Sequence, residues 1–435
     1  MKRLATLSGC LLAVSCSATS NYGSGSGAEL KIPPAEAAVN YAVPAGSSPE
    51  ALAELAIKHH PSLVAARHRA NRLAAVSPRL RSLPDPMAEI STGSMAETAA
   101  GRVDAMAGIK QKIPFPGKRK QAGAAADSEA AAARAEIEAL ELKLTERVHA
   151  AWWDLYLAHR TIDLTRESKT VLESVRDAVD SRVAADQARQ ADQIRLSNEL
   201  AMIDRDLAEA ELLRQTASAR LNSLLNRPTN AALPTPKDRA IAHLGSLDAL
   251  LIKAQQKHPE VAAAERHYEA FTHKLKRAEL EKYPDFTVGI AAADVNSSGL
   301  SPVANGRDQV YATLGIDIPL WQEPRKAMLR EAREGMKETE AMIAATRSDL
   351  RYRVEEAWYR AKTSREVSNL FSSRLVPNAK QAYDVTLTSY SAGNSNFNDL
   401  IETWRQHLAY RLQLAQNRAQ LGKATATLRA AAGID

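Results

Sequence analysis

Hydrophobic and polar positions follow two distinct periods along this chain, and the order of those periods occurs twice. In the first half, Ser48 reads as a helix N-cap with Pro49 at the first helical position, and Leu52, Leu55, Ala56 and Leu63 lie on one helical face. His60-Pro61 kinks or breaks that run, and Pro84 and Pro86 end it. The period then changes to two. Ile90, Thr92 and Ser94 alternate with Glu89, Ser91 and Gly93; after a polar turn, Val103, Ala105, Ala107, Ile109 and Ile113 alternate with Asp104, Gly108, Lys110 and Lys112. From about 120 to 186 there is no proline, and Ile137, Leu140, Leu144, Val148, Leu155 and Ile162 recur at helical spacing, which predicts one helix of roughly 100 Å. A turn at Ala184-Ala185-Asp186 and a returning helix complete the unit.

The second half repeats this layout about 200 residues later. Ser48-Pro49 recurs as Ser246-Leu247, His60-Pro61 as His258-Pro259, Leu83-Pro84-Asp85 as Tyr283-Pro284-Asp285, and Ile113-Pro114-Phe115 as Ile318-Pro319-Leu320. Val148 to Trp152 recurs as Val354 to Trp358. Phe286, Val288 and Ile290 alternate with Asp285, Thr287 and Gly289, and Val310, Ala312, Leu314, Ile316 and Ile318 alternate with Gln309, Thr313, Gly315 and Asp317.

The boundaries that follow are a first repeat over 48–227, a Pro-rich linker over 228–245 and a second repeat over 246–431. The first has a β-hairpin about 87–114, a long helix about 120–186 and a return helix about 190–226. The second has a hairpin about 285–319, a long helix about 325–389, broken at most by Pro377, and a return helix about 394–431.

Strands of roughly nine to eleven residues are long enough to cross a bilayer when tilted. A soluble hairpin half-packed on helices fits the strands alone, and a soluble coiled coil fits the helices alone. Four strands cannot close a barrel, and lipid does not tolerate open edges, so membrane strands would require the chain to oligomerise. Three chains would supply twelve strands.

The N-terminus adds a compartment. Met1-Lys2-Arg3 followed by the apolar run Leu4 to Val14 reads as a signal peptide over 1–15, too short to span a bilayer. Ala13-Val14-Ser15-Cys16 fits a lipoprotein cleavage box, which makes Cys16 the expected lipid (palmitate) attachment point and 16–47 a flexible, lipid-anchored tether; ordinary cleavage nearby is the alternative. Of the two cysteines, Cys10 would then leave with the signal, and no disulfide forms.

Composition narrows the class further. Aromatics are only 5% of 435 residues and alanine is abundant, which suits long, closely packed helices. The net charge of +6 is interleaved with acids along helical faces, so no nucleic-acid partner is expected. There is no HExxH, CxxC, phosphate loop or Gly-x-Ser-x-Gly, and the ten histidines are scattered. No enzyme activity, cofactor or metal site is expected. The tryptophans of the long helices, Trp152, Trp153 and Trp358, read as packing residues.

Over 48–431 the sequence resembles the TolC-like family of outer-membrane efflux proteins. The most specific stretch is Tyr390-Ser391-Ala392-Gly393 followed by Asp399-Leu400-Ile401-Glu402, supported by His-Pro in each first helix and Ile-Pro-Phe or Ile-Pro-Leu after each second strand. The resemblance implies a mainly α, internally duplicated chain with a β-barrel part. It also implies a homotrimer whose twelve-stranded outer-membrane barrel, four strands per chain, continues into a long periplasmic α-helical barrel of coiled coils. Such a channel works passively with a periplasmic adaptor (membrane fusion) protein and an inner-membrane pump, in contact with outer-membrane lipid. A pore-free coiled-coil adaptor or structural lipoprotein is the alternative function.

By the same resemblance, Tyr390 and Gly393 form the tip turn, and Asp399 and Glu402, one helical turn apart, face the pore as a constriction. Asp192 and Arg195, their first-repeat counterparts, complete the expected constriction, with an internal salt link between them at the tip. Ser395 stands where some members have a basic residue. Pro114 to Arg119 is similar to the branch serving heavy-metal pumps of the resistance-nodulation-division type. Lys118, Arg119, Lys120, Arg325 and Lys326, where strand becomes helix, read either as contacts to anionic headgroups or as solubilising charge.

Overall fold

Each repeat opens on short helices because each has a built-in stop. In the computed structural model, α1 (Pro49–His59) is capped by Ser48, whose Oγ accepts from Ala51 N–H at 3.2 Å. His60-Pro61 is a break and not a kink. His60 leaves the helix in extended conformation and caps α2 (Pro61–Ala74), its Nδ1 accepting from Ser62 N–H at 3.3 Å, with Pro61 restarting the helix at a position that needs no N–H. α3 (Val76–Arg81) follows. The second repeat does the same: α6 (Leu247–Lys257) ends at His258, whose Nδ1 accepts from Glu260 N–H at 3.2 Å and caps α7 (Pro259–Leu280).

The structure describes residues 41–44, 46–93, 97–98, 101–186, 188–241, 243–297 and 306–434. All of them belong to one unit, Asn40–Asp435. The signal segment, Cys16 and the tether as far as residue 40 lie outside the described residues.

The strands are β1 (Met87–Thr92), β2 (Glu97–Thr98), β3 (Gly101–Ile113), β4 (Asp285–Asn296) and β5 (Gln309–Asp317). They form a single antiparallel sheet in the order β1-β3-β4-β5, with β2 on the end of β3. The two hairpins are therefore joined through β3 and β4, one from each repeat, over eleven paired positions. A register shift between Val103 and Ala105 is the one irregularity of that seam.

Two long helices follow the strands. α4 (Lys118–Ala184) runs 67 residues, about 100 Å at the ordinary rise per residue. Its alanine-rich start, Ala122, Ala125, Ala126, Ala130 and Ala133, is buried where α4 packs along α7, itself buried at Ala263, Ala264 and Ala270. α5 (Gln190–Leu224) returns along α4. In the second repeat α8 (Gln322–Leu370) passes through one π-turn, Phe371–Leu375, into α9 (Val376–Ser391), and α10 (Phe397–Ala431) returns. Pro377 does not break this run: the wider π-turn just before it absorbs the missing donor and the ring's bulk.

Three cores hold the helices. Leu52, Ala56 and Leu63 meet Val148, Trp152, Trp153 and Tyr156 of α4, Leu221 of α5 and Ala419 of α10. The second-repeat counterpart, Ala254 with Val354, Ala357, Leu428 and Ala431, is smaller, and Trp358 only borders it. The third lies at the far end of the helices.

The two histidine caps carry a pH dependence. His258, buried, donates from Nε2 to Ala430 O at 3.2 Å while its Nδ1 accepts, so the folded state holds the neutral ring. Burial, with Arg353 adding to it, lowers its pKa, and burial with Arg147 lowers that of His60. The unfolded chain binds a proton near the ordinary value of 6.5, and the folded chain resists doing so. Their contribution is complete above that value and is lost as pH falls toward the lowered folded values. Thermal melting of the detergent-solubilised protein should decline through this range, and His258→Asn should flatten the decline. An unchanged slope in the variant would rule His258 out.

Candidate functional site

The sheet has two chemically different faces. Residues paired across strands share a face, so the register sorts them. One face carries the rows Ala88–Ile109–Ile290–Ala312, Ile90–Ala107–Ala292–Val310, Gln111–Val288–Leu314 and Ile113–Phe286–Ile316. The other carries Glu89–Gly108–Ala291–Tyr311, Met87–Lys110–Gly289–Thr313 and Lys112–Thr287–Gly315. The apolar face is bare: Ile90 and Val310 are each 76% exposed and Leu314 is 72% exposed. Water does not tolerate such a surface, whereas lipid requires it. On the polar face, Lys110 pairs with Glu89, and Lys112 bridges to Asp317 at 2.7 Å and Asp285 at 3.6 Å. The outer edges of β1 and β5 have no partner strand among the described residues. No described helix is long and apolar enough to cross a membrane.

At the junction of sheet and helices the structure corrects the reading of one basic residue, Lys118, while Lys120 and Lys326 remain exposed. Lys118 is turned away from solvent rather than held out from the surface. It is buried, with Nζ 3.0 Å from Glu281, 2.9 Å from Asp285 and donating to Tyr283 O at 3.1 Å. Asp285 also accepts from Phe115 N–H at 2.9 Å, and Phe115 stacks on Tyr283 at 4.4 Å. Lys118 is thus a clamp between repeats. Arg119 donates to Arg81 O at 2.8 Å. In the second repeat, Arg325 spends its donors on Trp321 O at 3.1 Å and Pro319 O at 2.5 Å, and Lys326 pairs with Glu323 at 2.9 Å.

The opposite end of the helices is the tip. Its turns rely on left-handed residues, Asp186 at φ +57° and Gly393 at φ +82°. Tyr390 is buried against Phe397, Leu400 and Trp404. The guanidinium of Arg182, from the other helical hairpin, lies 4.5 Å above its ring and donates to Tyr390 O. Arg182 was not singled out in the sequence. A basic residue in the last turn of a helix is what the helix dipole favours anyway, so it carries no signal of its own.

Asp399 and Glu402 are exposed beside the buried Leu400 and Ile401, so both project away from the tip core. Asn396 caps α10 by accepting from Asp399 N–H at 3.0 Å, and Ser395 Oγ reaches Asp399 at 3.4 Å. The first-repeat pair sits differently. Asp192 is only 5% exposed, 3.9 Å from both Arg189 and Arg195, so it offers no open carboxylate. Arg195 donates to Asn398 at 2.5 Å. Further ties join the hairpins: Arg405 to Glu199 at 3.1 Å, and Arg411 to Glu167 at 2.6 and 3.0 Å. Among the described residues, no cluster of His, Cys, Asp and Glu is placed to hold a metal ion.

Comparison with known proteins agrees with this geometry. Residues 250–434 match the sequence model of the outer membrane efflux protein family. The cobalt-zinc-cadmium resistance protein CzcC of Cupriavidus metallidurans is 23% identical over 363 residues, covering 82% of this chain and 81% of that protein. The fold is that of the outer membrane protein VceC of Vibrio cholerae (TM-score 0.73, 19% identity, 88% of this chain and 96% of that one). It is also similar to the open state of the MtrE outer membrane channel of Neisseria gonorrhoeae (TM-score 0.71, 18% identity, 89% of each chain).

Proposed function

We infer that this chain belongs to the outer membrane efflux protein family and is the outer-membrane exit duct of a tripartite efflux system. The observation that carries this reading is the sheet: one apolar face, one polar face and two edges with no partner strand among the described residues, on a chain that also sends a helix of about 100 Å away from it. In lipid those edges must be closed by further copies. Three chains supply twelve strands, with the apolar face toward lipid and the polar face lining a pore. The helices continue that pore across the periplasm. Exposed apolar side chains on α5 (Ile194, Met202, Leu212) and on α8 (Met342, Tyr352, Tyr359) are then covered by neighbouring copies of the trimer.

The chain acts passively: a periplasmic adaptor and an inner-membrane pump supply cargo and energy. The relationship to a cobalt-zinc-cadmium resistance protein favours a heavy-metal pump of the resistance-nodulation-division type. Cys16 carries the lipid anchor, and Asp399 and Glu402 from each chain narrow the tip with carboxylates that prefer cations. Asp192 is turned inward and adds no open carboxylate, whereas Arg195 ties the neighbouring turn through Asn398.

Purified protein should run as a heat-modifiable trimer and conduct ions in planar bilayers. Asp399→Ala with Glu402→Ala should raise single-channel conductance and weaken cation preference. Unchanged conductance would remove these residues from the gate. A monomer that never conducts would overturn the duct itself.

A further inference from the structure

The turn Ile318-Pro319-Leu320-Trp321 exposes more apolar surface than its position requires. Ile318, Leu320 and Trp321 are 69%, 72% and 81% exposed. The turn is nevertheless tightly built. Leu320 N–H donates to Ile318 O at 2.9 Å, and Arg325 donates to the carbonyls of both Pro319 and Trp321. A charged side chain is thus committed to fixing a backbone whose own side chains pack on little else. Trp321 also serves as the residue before the first turn of α8, where Glu323 pairs with Lys326. Apolar bulk therefore gives way to paired charge within a few residues.

The equivalent turn of the first repeat is spent inward. Phe115 stacks on Tyr283, and Lys118 is buried beneath it. Only the second copy is left open, and it lies directly after β5, in continuity with the apolar row of Val310, Leu314 and Ile316.

We propose that Ile318, Leu320 and Trp321 form an interfacial lipid anchor that seats in the glycerol and ester zone of the periplasmic leaflet. An indole with an apolar body and one N–H donor suits that zone, and aromatic girdles mark it in membrane barrels. The anchor rests on the outer-membrane reading above. It places three tryptophans per trimer, each beside the edge strand at which two chains meet.

Tryptophan fluorescence tests this directly. Trp152, Trp153 and Trp404 are buried in helical cores, and Trp358 lies about 55 Å further along α8, beyond the reach of lipid. The full-length trimer is reconstituted in phosphatidylcholine vesicles brominated either near the glycerol end or near the methyl end of the acyl chain. The shallow bromines should quench wild-type emission more than the deep ones, and Trp321→Phe should abolish nearly all of that quenching.

Two results overturn the anchor. One is the same lipid quenching in Trp321→Phe. The other is Trp321 emission that only aqueous acrylamide quenches, or that neither agent quenches, as expected if the turn faces the pore or packs on a neighbouring chain. Ion conductance of the same vesicles separates the two readings: conducting trimers without Trp321 quenching sink the anchor alone, whereas chains that neither insert nor conduct sink both.

Discussion

Lys118→Met should melt the folded chain well below the wild type, because it removes the one cation shared by Glu281 and Asp285. Methionine preserves the length and apolar stem, so the loss reports on the charge. Taking one partner from a buried ion pair costs about 3–5 kcal/mol, since the partner is left uncompensated. Here the two carboxylates keep 22% and 17% side-chain exposure, and Arg277, 3.7 Å from Glu281, and Lys112, 3.6 Å from Asp285, still compensate them in part, so a value at the low end, about 3 kcal/mol, is expected. That is on the order of a hundredfold in the folding equilibrium. Adding Asp285→Asn removes one of the two under-compensated charges while leaving an oxygen to accept from Phe115 N–H, and should recover part of the loss. Thermal denaturation of the three variants checks this. Equal melting of Lys118→Met and wild type would show that the clamp contributes nothing.

Gly422→Ala decides between two opposed effects. Helix propensity alone favours the alanine by about 1 kcal/mol in the interior of α10. Packing opposes it, because a Cβ at this position would lie 2.0 Å from Cε2 and 2.3 Å from Nε1 of Trp153. Trp153 is 4% exposed and held by Trp152 at 4.9 Å and Tyr156 at 5.2 Å, so the ring has nowhere to retreat. Overpacking of this kind costs about 1–3 kcal/mol, and with so little slack the clash wins by about 2 kcal/mol. Trp153→Leu is itself destabilising, yet in that background Gly422→Ala should turn neutral or favourable, a clear departure from additivity. If Gly422→Ala stabilises the wild-type chain, the close approach of α10 to α4 is looser than described.

What the sequence reveals here depends on how local each cause is. The strands were legible because a surface between lipid and water forces period two, and Phe286 to Ile290 obeys it without interruption. The long helices were legible because a stretch without proline at helical spacing has few other outcomes. Lys118 was not legible. It looks like any basic residue after a strand, and the carboxylates that bury it come from the other repeat. Asp192 and Asp399 occupy matching positions, yet Arg189 and Arg195 flank only the first, and tertiary packing turns it inward. Arg182 was missed for the same reason: its meaning lies in Tyr390, on another hairpin. Ser395 drew notice in the sequence, whereas in the structure the cation at this turn arrives from outside the motif.

The seam between β3 and β4 has a consequence for how such an assembly comes apart. It pairs eleven positions and both its strands belong to one polypeptide, whereas β1 and β5 present only six and nine residues at their outer edges. A ring of these chains is therefore unevenly sewn: eleven and nine paired positions join β3 to β4 and β4 to β5, whereas β1 has only six residues to pair with β3 on one side and a neighbouring copy on the other. Heat or detergent should open such a ring first beside β1, while the β3-β4-β5 panel of each chain stays paired.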